Sequence, residues 1–100
     1  MTRWFVSRHD GAIEWAKQEK LRIDRWVAHL DLAEIREGDM VIGTLPVHLA
    51  AEVCARGAEF YFLTLNLSLP QRGAELDFAA MQAARCSLQR YVVQRVPGAL

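Results

Sequence analysis

The sequence predicts a minimal doubly wound α/β domain, and three stretches predict it. Met40-Val41-Ile42 is a short apolar run of the kind buried on both faces of a sheet, and Gly43-Thr44 breaks it before a helical pattern begins. Arg3 to Ser7 repeats that arrangement near the N-terminus, as an apolar strand followed by a polar turn and a helix. Glu59 to Leu67 is the clearest strand, with Phe60, Phe62 and Thr64 alternating with Tyr61, Leu63 and Leu65. Strands alternating with helices imply βαβ units and a mostly parallel sheet of four strands. One hundred residues allow a single domain of this kind with a modest core, here placed at residues 1–96, with 97–100 a loose tail.

In order, the first strand is Arg3 to Ser7, and Asp10 is the expected N-cap of a helix over Ala12 to Lys20. Ile13 and Ala16 should face the sheet, flanked by Ala12 and Trp15. Leu21 to Leu30 reads as a second strand with imperfect alternation. Asp31 with Glu34 three residues on resembles a capping box opening a short helix that Gly38 ends. After the Met40 strand, Pro46 suits the first position of a helix, where its missing N–H has no partner to lose. Leu49, Ala50, Val53 and Cys54 form the apolar face of that helix, His48, Glu52 and Arg56 its polar stripe, and Gly57 its end. A polar connection through Arg72 leads to a last long helix from about Glu75 to Val93, with Phe78, Met81, Leu88 and Val92 on one face.

Twelve basic residues balance twelve acidic ones, and no basic run exists, which argues against a protein that coats long nucleic acid. A small phosphate ligand held by a few groups remains compatible with that balance. Cys54 and Cys86, both assigned to helices, lack CxxC spacing, so buried free thiols are expected and no zinc site, with a disulfide left open by the sequence. No apolar run reaches membrane-spanning length, and no signal peptide is read at the N-terminus; a cytoplasmic protein without membrane partners is the expectation.

In a doubly wound sheet, ligands bind beyond the carboxyl ends of the strands, where the strand order reverses. The turns after the first strand and after Ile42 should meet there and bring together Ser7, Arg8, His9, Thr44 and, one helical turn on, His48. Arg8 can clamp phosphate oxygens with its planar fork, and Ser7 and Thr44 can donate hydroxyl hydrogen bonds. Imidazoles move protons near neutral pH, so His9 or His48 can serve as acid or base. Structural roles compete: Ser7 can cap a strand end, Thr44 can cap a helix, and His48 can sit on a solvated stripe paired with Glu52. Nucleotide fingerprints such as GxGxxG and GxxxxGK[ST], the GxSxG elbow and HExxH are all missing.

The blocks FVSRHDGAIEWA, GTLPVHLAAEVCARGA and LPQRGAEL together resemble a small family encoded with type III CRISPR systems. That family is related to the CRISPR-associated Rossmann-fold (CARF) domains, which bind cyclic oligoadenylates, and is counted among the ring nucleases. The resemblance runs from Trp4 to about Met81. It implies a minimal Rossmann-like, three-layer fold with a mostly parallel four- to five-stranded sheet. It implies a homodimer that binds cyclic tetra-adenylate and cuts it without metal or cofactor, the ribose 2′-OH attacking the adjacent phosphate to leave a 2′,3′-cyclic phosphate. The candidate catalytic residues are then His9, Arg8, Ser7 and His48. Ligand contacts fall on the block positions Ser7, Arg8, Gly11, Gly43, Thr44, Leu45, Pro46 and Arg72. A non-catalytic sensor or sponge for the same nucleotide, or a module that binds a CRISPR effector, is the alternative; His9 beside Arg8 favours the enzyme, since a binder needs donors but no proton carrier.

Overall fold

The computed structural model describes residues 1–64 and 86–98. Its elements are strand β1 (Arg3–Val6), helix α1 (Asp10–Gln18), strand β2 (Arg25–Val27), a 3₁₀ turn (Leu32–Glu34), strand β3 (Met40–Gly43), helix α2 (Val47–Ala55) and strands β4 (Glu59–Thr64) and β5 (Ser87–Tyr91). They build a five-stranded sheet of order β2-β1-β3-β4-β5. The first four strands are mutually parallel, and β5 closes one edge antiparallel to β4.

Alternation along the central strands divides the core in two. Trp4, Val6, Val41 and Phe60 share one cluster with Ala50 and Val53 of α2 and with Ile35. Phe5, Ile42 and Leu63 share the other with Ala12, Trp15 and Ala16 of α1. The helices therefore cover opposite faces of the sheet, which is the three-layer Rossmann-like arrangement expected of βαβ units.

Asp39 fastens the strand ends remote from the two turns. Its carboxylate, buried at the start of β3, accepts hydrogen bonds from the Thr2 N–H (2.9 Å), the Trp4 indole (3.3 Å) and the Arg36 N–H (3.0 Å). Burial pushes the pKa of this acid up, but the three donors, with help from the N-terminal amine, outweigh it and hold the pKa below its ordinary value of 3.8.

Several boundaries differ from the expectation. α1 begins two residues early, at Asp10, because His9 and not Asp10 is the N-cap. Its end is a paired-turn cap in which Leu21 N–H reaches Ala16 O and Lys20 N–H reaches Lys17 O, with Lys20 in the left-handed region at φ 58°. Pro46, expected as the first helical residue, is instead the N-cap of α2, which therefore begins one residue later, at Val47. Of Leu21 to Leu30, only Arg25–Val27 pairs as a strand. The helix expected at Asp31 is a single 3₁₀ turn in which the Asp31 carboxylate accepts from Ala33 N–H.

The largest correction concerns the last helix. Ser87–Tyr91 is a strand, so the helix does not run to Val93, and Cys86 stands before β5 and not in a helix. Leu88 and Val92 fit a helical face, but β4 offers a sheet edge with specific partners. Tyr91 meets Phe62 edge-on at 6.1 Å, and Arg90 pairs with Glu59 at 3.3 Å. Pairing to an existing edge outweighs a weak local preference. Residues 75–85, where the rest of that helix was expected, and the connection containing Arg72 lie outside the described residues.

Candidate functional site

The register decides what meets what. Val6 pairs with Gly43, so the turn that begins at Ser7 and the turn that begins at Thr44 leave the sheet side by side at its carboxyl end. The order reverses between β1 and β3, one strand running out toward β2 and the other toward β4. Crevices open at such a switch point because the two connections diverge to opposite faces.

Gly43 lets the strands close there. A Cβ at this position would lie 2.5 Å from the Val6 carbonyl oxygen and 3.3 Å from Val6 Cβ. Backbone cannot yield as a side-chain tip can, so Gly43→Ala must spread the two strand ends. Overpacking of this kind costs about 1–3 kcal/mol. The variant is expected to show a lower urea midpoint with an unchanged m-value; a midpoint equal to the parent's would contradict the close approach.

The first turn is locally ordered. Ser7 N–H donates to Val27 O at 2.9 Å, and Ser7 Oγ accepts from His9 N–H at 3.1 Å. His9, the N-cap of α1, makes no side-chain capping bond, while its carbonyl accepts from Ala12 and Ile13. Arg8 is exposed, His9 half-buried, and Gly11 buried in the first turn of the helix. Neither the His9 imidazole nor the Arg8 guanidinium bonds to any described residue.

The second turn is arranged differently from its sequence reading. Thr44 Oγ1 donates to Leu63 O at 3.4 Å, tying the turn to the end of β4. Leu45 packs its side chain into the core beside Ala50. Because Pro46 is the N-cap and has no capping oxygen, the N–H groups of Val47 and His48 open toward the turn without intrahelical partners. His48 is exposed, and it does not share Glu52, whose carboxylate bonds to Arg95 at 3.1 Å. Two helix N-termini thus flank the reversal point, with Arg8, His9 and His48 uncommitted among the described residues.

A cleft of about 280 Å³ adjoins the first turn, lined by Phe5, Ser7, Arg8, Asp10, Ile13, Trp26, Val27 and Ala28. The sequence reading found Ser7 and Arg8 but missed the wall that β2 supplies. The available signal was Trp26, a large aromatic residue at an alternating position of a short strand. Among the described residues, no group of three His, Cys, Asp or Glu side chains could hold a metal ion. No helix among them is long and apolar enough to cross a membrane.

Residues 4–94 match the model of a family described as "Putative CRISPR-associated protein (Cas_VVA1548)". The chain belongs to the Cas_VVA1548 family. The match takes in both turns, both helix N-termini and β5, so the whole of the candidate site lies in family sequence. No curated protein and no solved structure gives a significant match to this Cas_VVA1548 chain.

Proposed function

We propose that this CRISPR-associated protein binds a cyclic oligoadenylate, cyclic tetra-adenylate, over the paired ends of β1 and β3 and cleaves it as a ring nuclease. The observation that supports the reading is that β1 and β3 end side by side at the point of strand reversal, each leading into a helix N-terminus, with Arg8 and His9 at one, His48 at the other, and none of the three side chains bonded to a described residue. Such a place suits phosphodiesters flanked by proton carriers.

In the reaction proposed, a ribose 2′-oxygen loses its proton and attacks the adjacent phosphorus. The bond from phosphorus to the 5′-oxygen breaks, the 5′-oxygen takes a proton, and a 2′,3′-cyclic phosphate remains. Arg8 and the N–H groups at the turns stabilise the extra negative charge on phosphorus, and His9 moves a proton. No step requires a metal or cofactor.

Cyclic tetra-adenylate incubated with the purified protein in EDTA is expected to yield linear products ending in 2′,3′-cyclic phosphate, resolved by chromatography. Arg8→Ala should weaken ligand binding about tenfold, since it removes an exposed but charge-assisted phosphate contact. Binding without product at any enzyme concentration would instead favour a sensor or sponge. Absence of binding by calorimetry would end both readings.

A ring of four adenylates has approximate two-fold symmetry, so a two-fold dimer of this chain meets both halves with the same residues. Light scattering at micromolar concentration is expected to give twice the mass of the chain, with or without ligand. A monomer under both conditions would contradict the dimer.

A further inference from the structure

We propose that the cleft beside the first turn is a nucleobase subsite in which the Trp26 indole stacks on a purine, while the phosphate of the same nucleotide rests on Arg8 at the rim. For its ligand class the inference rests on the cyclic oligoadenylate reading. It adds a residue and an orientation that the two turns do not supply.

Trp26 is an unusual tenant of its strand. β2 is a three-residue edge strand, and Trp26 is 37% exposed, whereas Trp4 and Trp15 are buried at 3% and 6%. Its ring is nevertheless held from two sides. Phe5 lies 5.2 Å away, tilted at 47°, and Lys17 Nζ stands 5.5 Å from the ring centroid. A fixed, half-exposed indole beside a cavity is a prepaid stacking surface, because little side-chain entropy remains to be lost on binding.

The lining orients the ligand. Phe5, Ile13, Trp26 and Val27 make an apolar interior that suits the faces of an aromatic base. Asp10 puts a carboxylate on the wall, which repels phosphate and can accept a hydrogen bond from a base amino group. Arg8 provides the opposite charge at the mouth, continuous with the Ser7 turn. Base inward and phosphate at Arg8 is the only arrangement that satisfies both charges. Volume sets the scale: about 280 Å³ falls just below the roughly 300–1,000 Å³ of pockets that enclose whole drug-sized ligands. The cleft therefore takes one base and leaves the rest of a larger ring over the strand ends.

The test follows the tryptophan indole N–H signals by NMR, assigned with Trp26→Phe, while AMP or ribose 5-phosphate is added. AMP is expected to shift the Trp26 signal, and ribose 5-phosphate, which lacks the base, to leave it in place. Trp26→Ala should weaken AMP and cyclic tetra-adenylate binding about ten- to a hundredfold, and Trp26→Phe should keep most of the affinity. Unchanged Trp4 and Trp15 signals in Trp26→Ala show that the fold persists. If the parent binds and cuts cyclic tetra-adenylate and Trp26→Ala does so equally well, the subsite is overturned and the ring-nuclease reading stands. If AMP shifts Trp26 but cyclic tetra-adenylate does not bind, the subsite stands and that reading fails. No response of Trp26 to AMP or to cyclic tetra-adenylate overturns the subsite.

Discussion

His9→Ala is expected to slow cleavage of cyclic tetra-adenylate by about 10²-fold or more, the effect of losing a general acid or base, while binding stays close to the parent's. The structure makes this substitution clean. The bond from His9 N–H to Ser7 Oγ and those accepted by its carbonyl belong to the backbone, so alanine keeps them. The imidazole makes no capping bond that its loss would break. His48 competes for the role from the exposed first turn of α2. Single-turnover rates of His9→Ala and His48→Ala at saturating protein separate the two. If both variants cut at the parent rate, neither histidine carries the proton, and the rate must come from ligand geometry and the N–H groups of the two turns.

Asp39→Ala is expected to destabilise the fold by about 2–4 kcal/mol, a large part of what a domain of this size possesses. It strands a buried indole N–H and two backbone N–H groups at the junction of β1 and β3. Asp39→Asn should cost less, since one amide oxygen can still take the Trp4 and Arg36 donors; its NH₂ would then face the Thr2 N–H. The same carboxylate sets a pH dependence. Its pKa is lower folded than unfolded, so the folded state binds the proton less readily. Its contribution is full above the ordinary value of 3.8 and is lost as the pH falls through the folded-state value. Urea midpoints measured from pH 6 down to pH 2.5 should fall more steeply in the parent than in Asp39→Asn. Parallel curves would remove Asp39 from the acid response.

Which segments become parallel strands, and that the turns following two of them leave the same end of the sheet, was legible in the residues alone. Met40-Val41-Ile42 and Trp4-Phe5-Val6 are too apolar to be covered on one face only, and each is followed by residues that cannot continue a strand. With two such units in one short chain, the Ser7 and Thr44 turns had to share an end of the sheet, and they do. The three blocks that carry the family resemblance fall within the family match, which ends at residue 94. Tertiary structure alone decided the rest. Ser87–Tyr91 became a strand because Phe62 and Glu59 on β4 supplied partners that no local pattern reveals. Thr44 was drawn to Leu63, and Glu52 was taken from His48 by Arg95, through contacts between residues far apart in the chain. The burial of the Asp39 carboxylate depends on Thr2, Trp4 and Arg36 converging on it. Trp26 forms a cleft with Ser7 and Arg8 only because β2 pairs alongside β1 in this register. Periodicity records how one segment meets an average core, whereas these placements depend on which particular segments become neighbours.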